Sequence, residues 1–320
     1  MRFDSRGLVS TYISQWMPLG DTTRQAPGGY VVGGSDASVK YDRIDKLAFP
    51  TDTKTTLTAV LTALTQTSVG FANSGIAGYA AGGIDSTYTN RIDKITFPAD
   101  TKSTLSATLT TARDGMGGFA NSGVAGFSCG GRDVSGNVDG IDKITFPADT
   151  KSTSAAVVTT GGINTGGCAN SGVAGYINKL YDVTGISKLT FSSETMSTIS
   201  GVLSNARQSG YAFADSGVAG YWCGGSNVGT GTFFSTVDKV VFATDTASAL
   251  GTGIDLTLRS GICFANIGVA GYYCGGFNNS VQYVDDINRF ALPTDTRTVL
   301  SNLLTSGIAN GAGFADCGVF

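Results

Sequence analysis

Apolar and small residues alternate in short runs along this chain, and Gly, Asn, Asp and Pro interrupt them every few residues. Alternation with a period of two points to half-buried strands, and the interruptions point to tight turns. No segment holds a 3.6-residue apolar period between capping residues, so little helix is expected. Residues 55–65 come nearest to one. Their counterparts elsewhere in the chain are rich in Thr, which favours strand.

The runs repeat. Phe-Ala-Asn-Ser-Gly-Ile-Ala-Gly-Tyr occupies 71–79, with close copies from Phe119, Cys168, Phe213 and Phe264 and a shortened copy from Phe314. A second phrase, Ile-Asp-Lys-Ile-Thr-Phe-Pro from Ile92, has relatives starting at Ile44, Ile141, Ile186, Val237 and Ile287, and the two phrases alternate strictly. The residue that ends the second falls at Phe49, Phe97, Phe146, Phe191, Phe242 and Leu292, in steps of 48, 49, 45, 51 and 50 residues. A fixed period of that size marks a repeat architecture, and about 50 residues suits one propeller blade. Each unit divides into four strands. The first ends in Phe-Ala, as at Phe119-Ala120; after an Asn-Ser-Gly turn the second runs from Val124 to Cys129 and stops at Gly-Gly. The third runs from Ile141 to Phe146, and a Pro-Ala-Asp-Thr turn leads to a Thr- and Ala-rich fourth, such as Ser103 to Ala112.

The last unit breaks off inside its second strand at Phe320, and the first recognisable one begins inside its second strand at Gly29-Tyr30. The two halves complement each other. Segment 313–320 is therefore expected to supply the first strand of a blade whose other strands come from the N-terminal part. Closure of this kind removes open sheet edges. The expected fold is all-β: a six-bladed β-propeller over 29–320, closed by pairing of N- and C-terminal strands. Residues 1–28 match no part of the repeat. Their Tyr12, Ile13, Trp16, Met17 and Leu19 are too apolar for a solvated tail, so this segment is expected to be an arm that docks on a neighbouring chain.

Composition narrows the chemistry. With 46 Gly and 14 % charged residues the chain could be disordered, but 41 % hydrophobic residues, 17 Phe and 12 Tyr supply a core. A net charge of −3 gives no basic footprint for nucleic acid, and no apolar run approaches the roughly 18 residues of a membrane helix. There is no histidine, which removes imidazole acid–base catalysis and His-liganded metals. The six cysteines form no Cys-x-x-Cys pair, and Met1 to Met17 lack the apolar core of a secretory signal, so free thiols are expected. Cys129, Cys223 and Cys274 share one place just before Gly-Gly, where Cys reads as a small buried apolar residue. No cofactor, metal or catalytic residue is expected.

Tyr-x-x-Gly-Gly recurs at Tyr30, Tyr79, Tyr221 and Tyr272, with Phe127 in place of Tyr once. An acidic turn recurs at Asp52, Asp100, Asp149, Glu194, Asp245 and Asp295, and Arg113, Arg207 and Arg259 stand late in their units. In these features the chain resembles the kelch repeat family, although Ser or Thr stands where kelch units carry Trp after the acidic turn. The pairing of Gly78-Tyr79-Ala80-Ala81-Gly82-Gly83 with Asp100-Thr101 also resembles the Gly/Thr-rich, kelch-like repeat proteins of tailed phages, particularly cyanophages. That resemblance implies a non-enzymatic virion protein of the tail, baseplate or fibre. It would be assembled in the host cytoplasm, bind other virion proteins through residues 1–28 and contact a glycan or protein of the host surface. The alternatives are a cellular kelch-type interaction module and a carboxylate-dependent carbohydrate-active enzyme.

Two sets of repeated or loop residues are candidates for contact, and a third motif is not. Asn73, Asn121, Asn170, Asp215, Asn266 and Asp316 occupy one repeated turn, either as turn formers or as a polar, cation-binding ring at a channel mouth. Tyr88, Phe233, Phe234, Phe277, Asn278, Asn279 and Tyr283 lie in the variable loops after Gly-Gly, where a rigid scaffold carries recognition. The recurring Asp-Lys pair, as at Asp93-Lys94, points to opposite strand faces and cannot easily bridge within itself, so its Lys reads as a solvated or blade-edge residue.

Overall fold

The computed structural model describes residues 27–158, 165–178, 183–280, 282–301 and 304–316. Among them there is no helix, and six four-stranded antiparallel sheets follow one another as blades. Blade 1 takes Ala312–Ala315, Gly28–Val32, Ile44–Ala48 and Thr53–Thr56 in that order. Blade 2 runs Val69–Asn73, Ala77–Ala81, Ile92–Thr96, Thr101–Thr104, and blades 3 to 6 repeat the plan from Gly117, Gly167, Tyr211 and Ile262. The expected closure is present: Ala312–Ala315 lies antiparallel to Gly28–Val32, with Tyr30 opposite Phe314. The fourth strand of blade 2 differs from expectation. It is Thr101–Thr104, ahead of the apolar Leu105 and Leu109, which instead anchor the segment leading to blade 3.

The first strands line the axis. Glycines bring them together: a Cβ on Gly70 would lie 2.1 Å from the Gly313 carbonyl oxygen, and one on Gly167 2.6 Å from that of Gly118. The space left on the axis is about 40 Å³, room for a water or two and far less than a small-molecule site needs.

Blades pack by one repeated device. The first-strand aromatic of each blade lies where a side chain would stand on the second-strand glycine of the next blade. Phe314 faces Gly78, Phe71 faces Gly126, Phe119 faces Gly175, Phe213 faces Gly271 and Phe264 faces Gly29, with ring atoms 1.9 to 2.1 Å from the missing Cβ. The glycine of Gly-Tyr is thus a socket for the neighbouring ring. At the remaining boundary Cys168 replaces Phe, and the buried Trp222 fills the gap beside Gly220, donating its indole N–H to the Gly166 carbonyl at 3.2 Å.

The Asp-Lys pair forms a second device, and here the structure corrects the sequence reading. Lys46 is buried and meets Asp100 of blade 2 at 2.8 Å. Lys94 meets Asp149, Lys188 meets Asp245 and Lys239 meets Asp295, all at 2.6–2.7 Å; Lys143 meets Glu194, and Arg289 closes the ring on Asp52 at 3.2 Å. The repeated tyrosines donate to the same acids: Tyr30 to Asp100, Tyr79 to Asp149, Tyr176 to Asp245, Tyr221 to Asp295 and Tyr272 to Asp52, at 2.6 to 3.0 Å. Where Phe127 has no hydroxyl to donate, the acid is the longer Glu194. Every one of these acids adopts a positive φ of 49–56°, so the left-handed turn aims its carboxylate back at the preceding blade.

The Asp of the pair works in the opposite direction, gripping the connector that enters its own blade. Asp93 accepts from the Thr62 N–H and hydroxyl at 3.0 and 2.7 Å, Asp142 from Thr110, Asp238 from Ser204 and Asp45 from Thr305. Burial pushes the Asp93 carboxyl up, but hydrogen bonds from Thr104 and Thr62 and the charge of Lys102 together hold it below its ordinary value of 3.8. A depressed folded pKa gives stability that is present above the ordinary value and lost as pH falls through the folded one. Melting temperature should therefore drop on acidification below about pH 4. Asp93→Asn should flatten that part of the profile while lowering the neutral-pH plateau; an unchanged acid slope in the variant counts against this role.

Candidate binding faces

Antiparallel order puts the first and third turns of every blade on one rim, and the Gly-Gly loops with the inter-blade connectors on the other. The two rims differ in character.

The turn rim is nearly uniform. Asn73 accepts the Gly123 N–H of the next blade at 2.9 Å, Asn121 that of Gly172, Asn170 that of Gly217 and Asp215 that of Gly268, all within 3.0 Å. Asp316 accepts from Gly28 at 2.9 Å, and Asn266 holds the equivalent place in blade 6. A second series runs alongside: the N–H groups of Ser74, Ser122 and Ser171 donate to the hydroxyls of Ser122, Ser171 and Ser216. These side-chain oxygens therefore tie turn to turn around the axis. Outside them stands a series of exposed aliphatic residues, Ile76, Val124, Val173, Val218 and Val269, each 42–51 % accessible.

The loop rim is anchored by Gly-Gly. In five blades both glycines have positive φ, as at Gly33 (62°) and Gly34 (100°), and Gly34, Gly83, Gly225 and Gly276 donate to the connector that leaves their blade at 2.7–2.8 Å. Blade 4 lacks the pair. There the Asn178 side chain makes a different contact, accepting the Gly166 N–H of the connector that enters its own blade at 2.6 Å. Above this anchor the loops diverge. Tyr88 lies under the Arg132 guanidinium at 5.9 Å, and Phe234 under Arg207 at 5.5 Å.

Phe233, Phe277 and Tyr283 come together. Phe277 stacks on Tyr283 at 5.3 Å and meets Phe233 edge-on at 5.9 Å, and the Arg259 guanidinium carbon lies 4.9 and 4.5 Å from the Phe233 and Phe277 ring centres. Asn278 shapes this loop, accepting from the N–H groups of Ser280 and Gln282, and Asn279 is exposed beside it. Of the sequence-predicted loop residues, Phe233, Phe277 and Tyr283 thus cluster at the blade 5–6 boundary with Asn278 and Asn279 in the same loop, while Tyr88 and Phe234 stand apart, on Arg132 and Arg207.

The arginine was hidden by a one-residue offset. Arg113 and Arg207 are 2 % and 0 % exposed and ion-paired with Asp142 and Asp238. Arg259 is not their equivalent. Leu258 holds that place, as its carbonyl accepts from Gly225 just as that of Arg113 accepts from Gly83. Arg259 instead bridges Phe277 in register, matching Asp114 opposite Arg132 and Gln208 opposite Ser226. Aligning the Ser-Gly of Ser260-Gly261 with Ser209-Gly210 reveals the offset in the sequence.

Cys129, Cys168, Cys223, Cys263 and Cys274 are buried, unbridged thiols; burial pushes Cys129 up to about 12, and Cys317 lies outside the described residues. The candidate arm residues Tyr12, Ile13, Trp16, Met17 and Leu19 also lie outside the described residues. No protein-family model and no curated protein matches the chain.

Proposed function

We propose that this six-bladed propeller is a kelch-like, non-enzymatic component of a tailed-phage particle, joined to its neighbours on one side and used for recognition on the other. The observation that carries this reading is the contrast between the two rims. The repeated acids, which a hydrolase or lyase would need free, are held by Tyr, Lys and Thr partners between blades. What remains outward is a uniform rim of repeated aliphatics and a rim of divergent loops with clustered aromatics. A scaffold with one invariant and one variable face suits attachment, because a constant surface docks while loops are free to change. The kelch-like repeat and its Gly/Thr-rich style agree with this role, and the apolar arm ahead of the Gly28–Val32 strand would add a grip on a neighbouring virion chain. Mass spectrometry of purified particles from the virus encoding the chain is expected to find it at a fixed ratio to tail proteins. Its absence from particles that infect normally overturns the proposal.

A further inference from the structure

At the blade 5–6 boundary the loop cluster holds a guanidinium, Arg259, with no carboxylate partner among the described residues. Arg43, Arg91, Arg113, Arg132, Arg207 and Arg289 each lie within 3.6 Å of a carboxylate oxygen. Arg259 has none. Its Nε is buried without a hydrogen-bond partner, and Nη1 reaches only the Ser226 hydroxyl, at 3.5 Å. Burial pulls this guanidinium down from its ordinary value, and Tyr283 is the one titratable side chain that offsets the effect. Burial, and after it the charges of Asp255 and Asp285, pushes the Asp286 carboxyl at this boundary above its ordinary value.

A guanidinium is a fork of N–H donors that matches a carboxylate in two parallel hydrogen bonds. Ring contacts orient that fork but supply no negative charge to neutralise it. Around it stand half-buried Phe233, Phe277 and Tyr283, and the exposed Asn279 follows Phe277 by two residues in the same loop. Aromatic faces take the C–H face of a sugar ring, and amides take its hydroxyls. The cluster spans one blade boundary and one arginine. A protein partner needs an interface of roughly 1,200 Å² or more, whereas one sugar ring fits this scale.

We infer that Arg259, with Phe233, Phe277 and Tyr283, forms a subsite for a carboxylate-bearing sugar, such as a uronic acid residue of a surface polysaccharide. This inference deepens the attachment reading and rests on it for biological meaning, but its chemistry is testable alone.

The test is calorimetric titration of the full chain with four probes: a glucuronate-terminated disaccharide, its glucose-terminated counterpart, a sulfated disaccharide and a Glu-rich peptide. Binding of the glucuronate probe alone, weakening with added salt, is expected. Arg259→Gln should reduce it tenfold or more, as loss of a charge-assisted contact implies. Arg259→Lys should fall between, because it keeps the charge and loses the fork. Both variants should melt near the parent temperature, since no ion pair is broken. Equal binding of neutral and acidic sugars, preference for the sulfate or the peptide, or undiminished glucuronate binding by Arg259→Gln overturns the inference. If host cells are labelled equally by parent and Arg259→Gln, attachment stands and this subsite falls. If glucuronate binding depends on Arg259 but particles lack the chain, the subsite stands and the virion role falls.

Discussion

Deleting Ala312 to Phe320 is expected to abolish cooperative folding. The segment supplies the innermost strand of blade 1, pairing with Gly28–Val32 from Gly29–Ala315 to Val32–Ala312. Without it that edge is open, and the axial ring loses one of its six strands, an invitation to aggregation. Phe314 fills the socket at Gly78 and stacks on Tyr30 at 5.4 Å. The Asp316 carbonyl accepts from Gly75 N–H and the Ser74 hydroxyl in blade 2. Losing one buried Phe alone costs about 3–5 kcal/mol, against a typical total of roughly 5–15 kcal/mol for a domain. The truncated chain should therefore run as aggregate on size exclusion and show no sharp melt. Phe314→Ala is the milder version, with an expected loss of about 3–5 kcal/mol in urea titration. A truncated monomer with the parent's melting temperature would sink the closure argument.

Gly271→Ala should destabilise, although Gly→Ala within a strand ordinarily gains about 0.5–1 kcal/mol. The added Cβ would sit 1.9 Å from Phe213, whose ring is fully buried and stacked on Tyr221 at 4.9 Å. The ring cannot yield cheaply, so the cost of overpacking, about 1–3 kcal/mol, decides the sign. Phe213→Leu alone leaves a partial cavity, but in the double variant it makes room for the methyl. A double-mutant cycle should therefore show favourable coupling of about 0.5–3 kcal/mol. Simple addition of the two single effects would mean that ring and glycine do not meet as described.

The blades, their number and the shared first blade were legible because they depend on period and alternation, which one sequence displays directly. The latches were not. Lys46 and Asp100 lie a whole unit apart, and alternation says only that Lys46 faces away from Asp45. A lysine on a strand looks solvated until the next blade covers it. The replacement of Phe by Cys168 made sense only beside Trp222, which reaches the gap from the following blade. Phe234 and Tyr88 were recognised as loop aromatics, but the convergence of Phe233, Phe277 and Tyr283 on Arg259 depends on loop register across a blade boundary.

The rings, the Lys and Tyr latches and the turn amides all reach in the same sense, from one blade to the next. At four of the six boundaries the sockets and latches follow one chemistry, with Arg289 in place of Lys at one, so whole units could be duplicated or lost by recombination without orphaning a latch there. Blade number would then be counted by geometry, through the wedge angle each boundary imposes, and not by residue identity. Two boundaries break this rule: the one matched by Cys168 with Trp222, and the one matched by Phe127 with Glu194. They act as keyed joints, and a shuffled chain that separated either pair would carry a boundary that no longer fits.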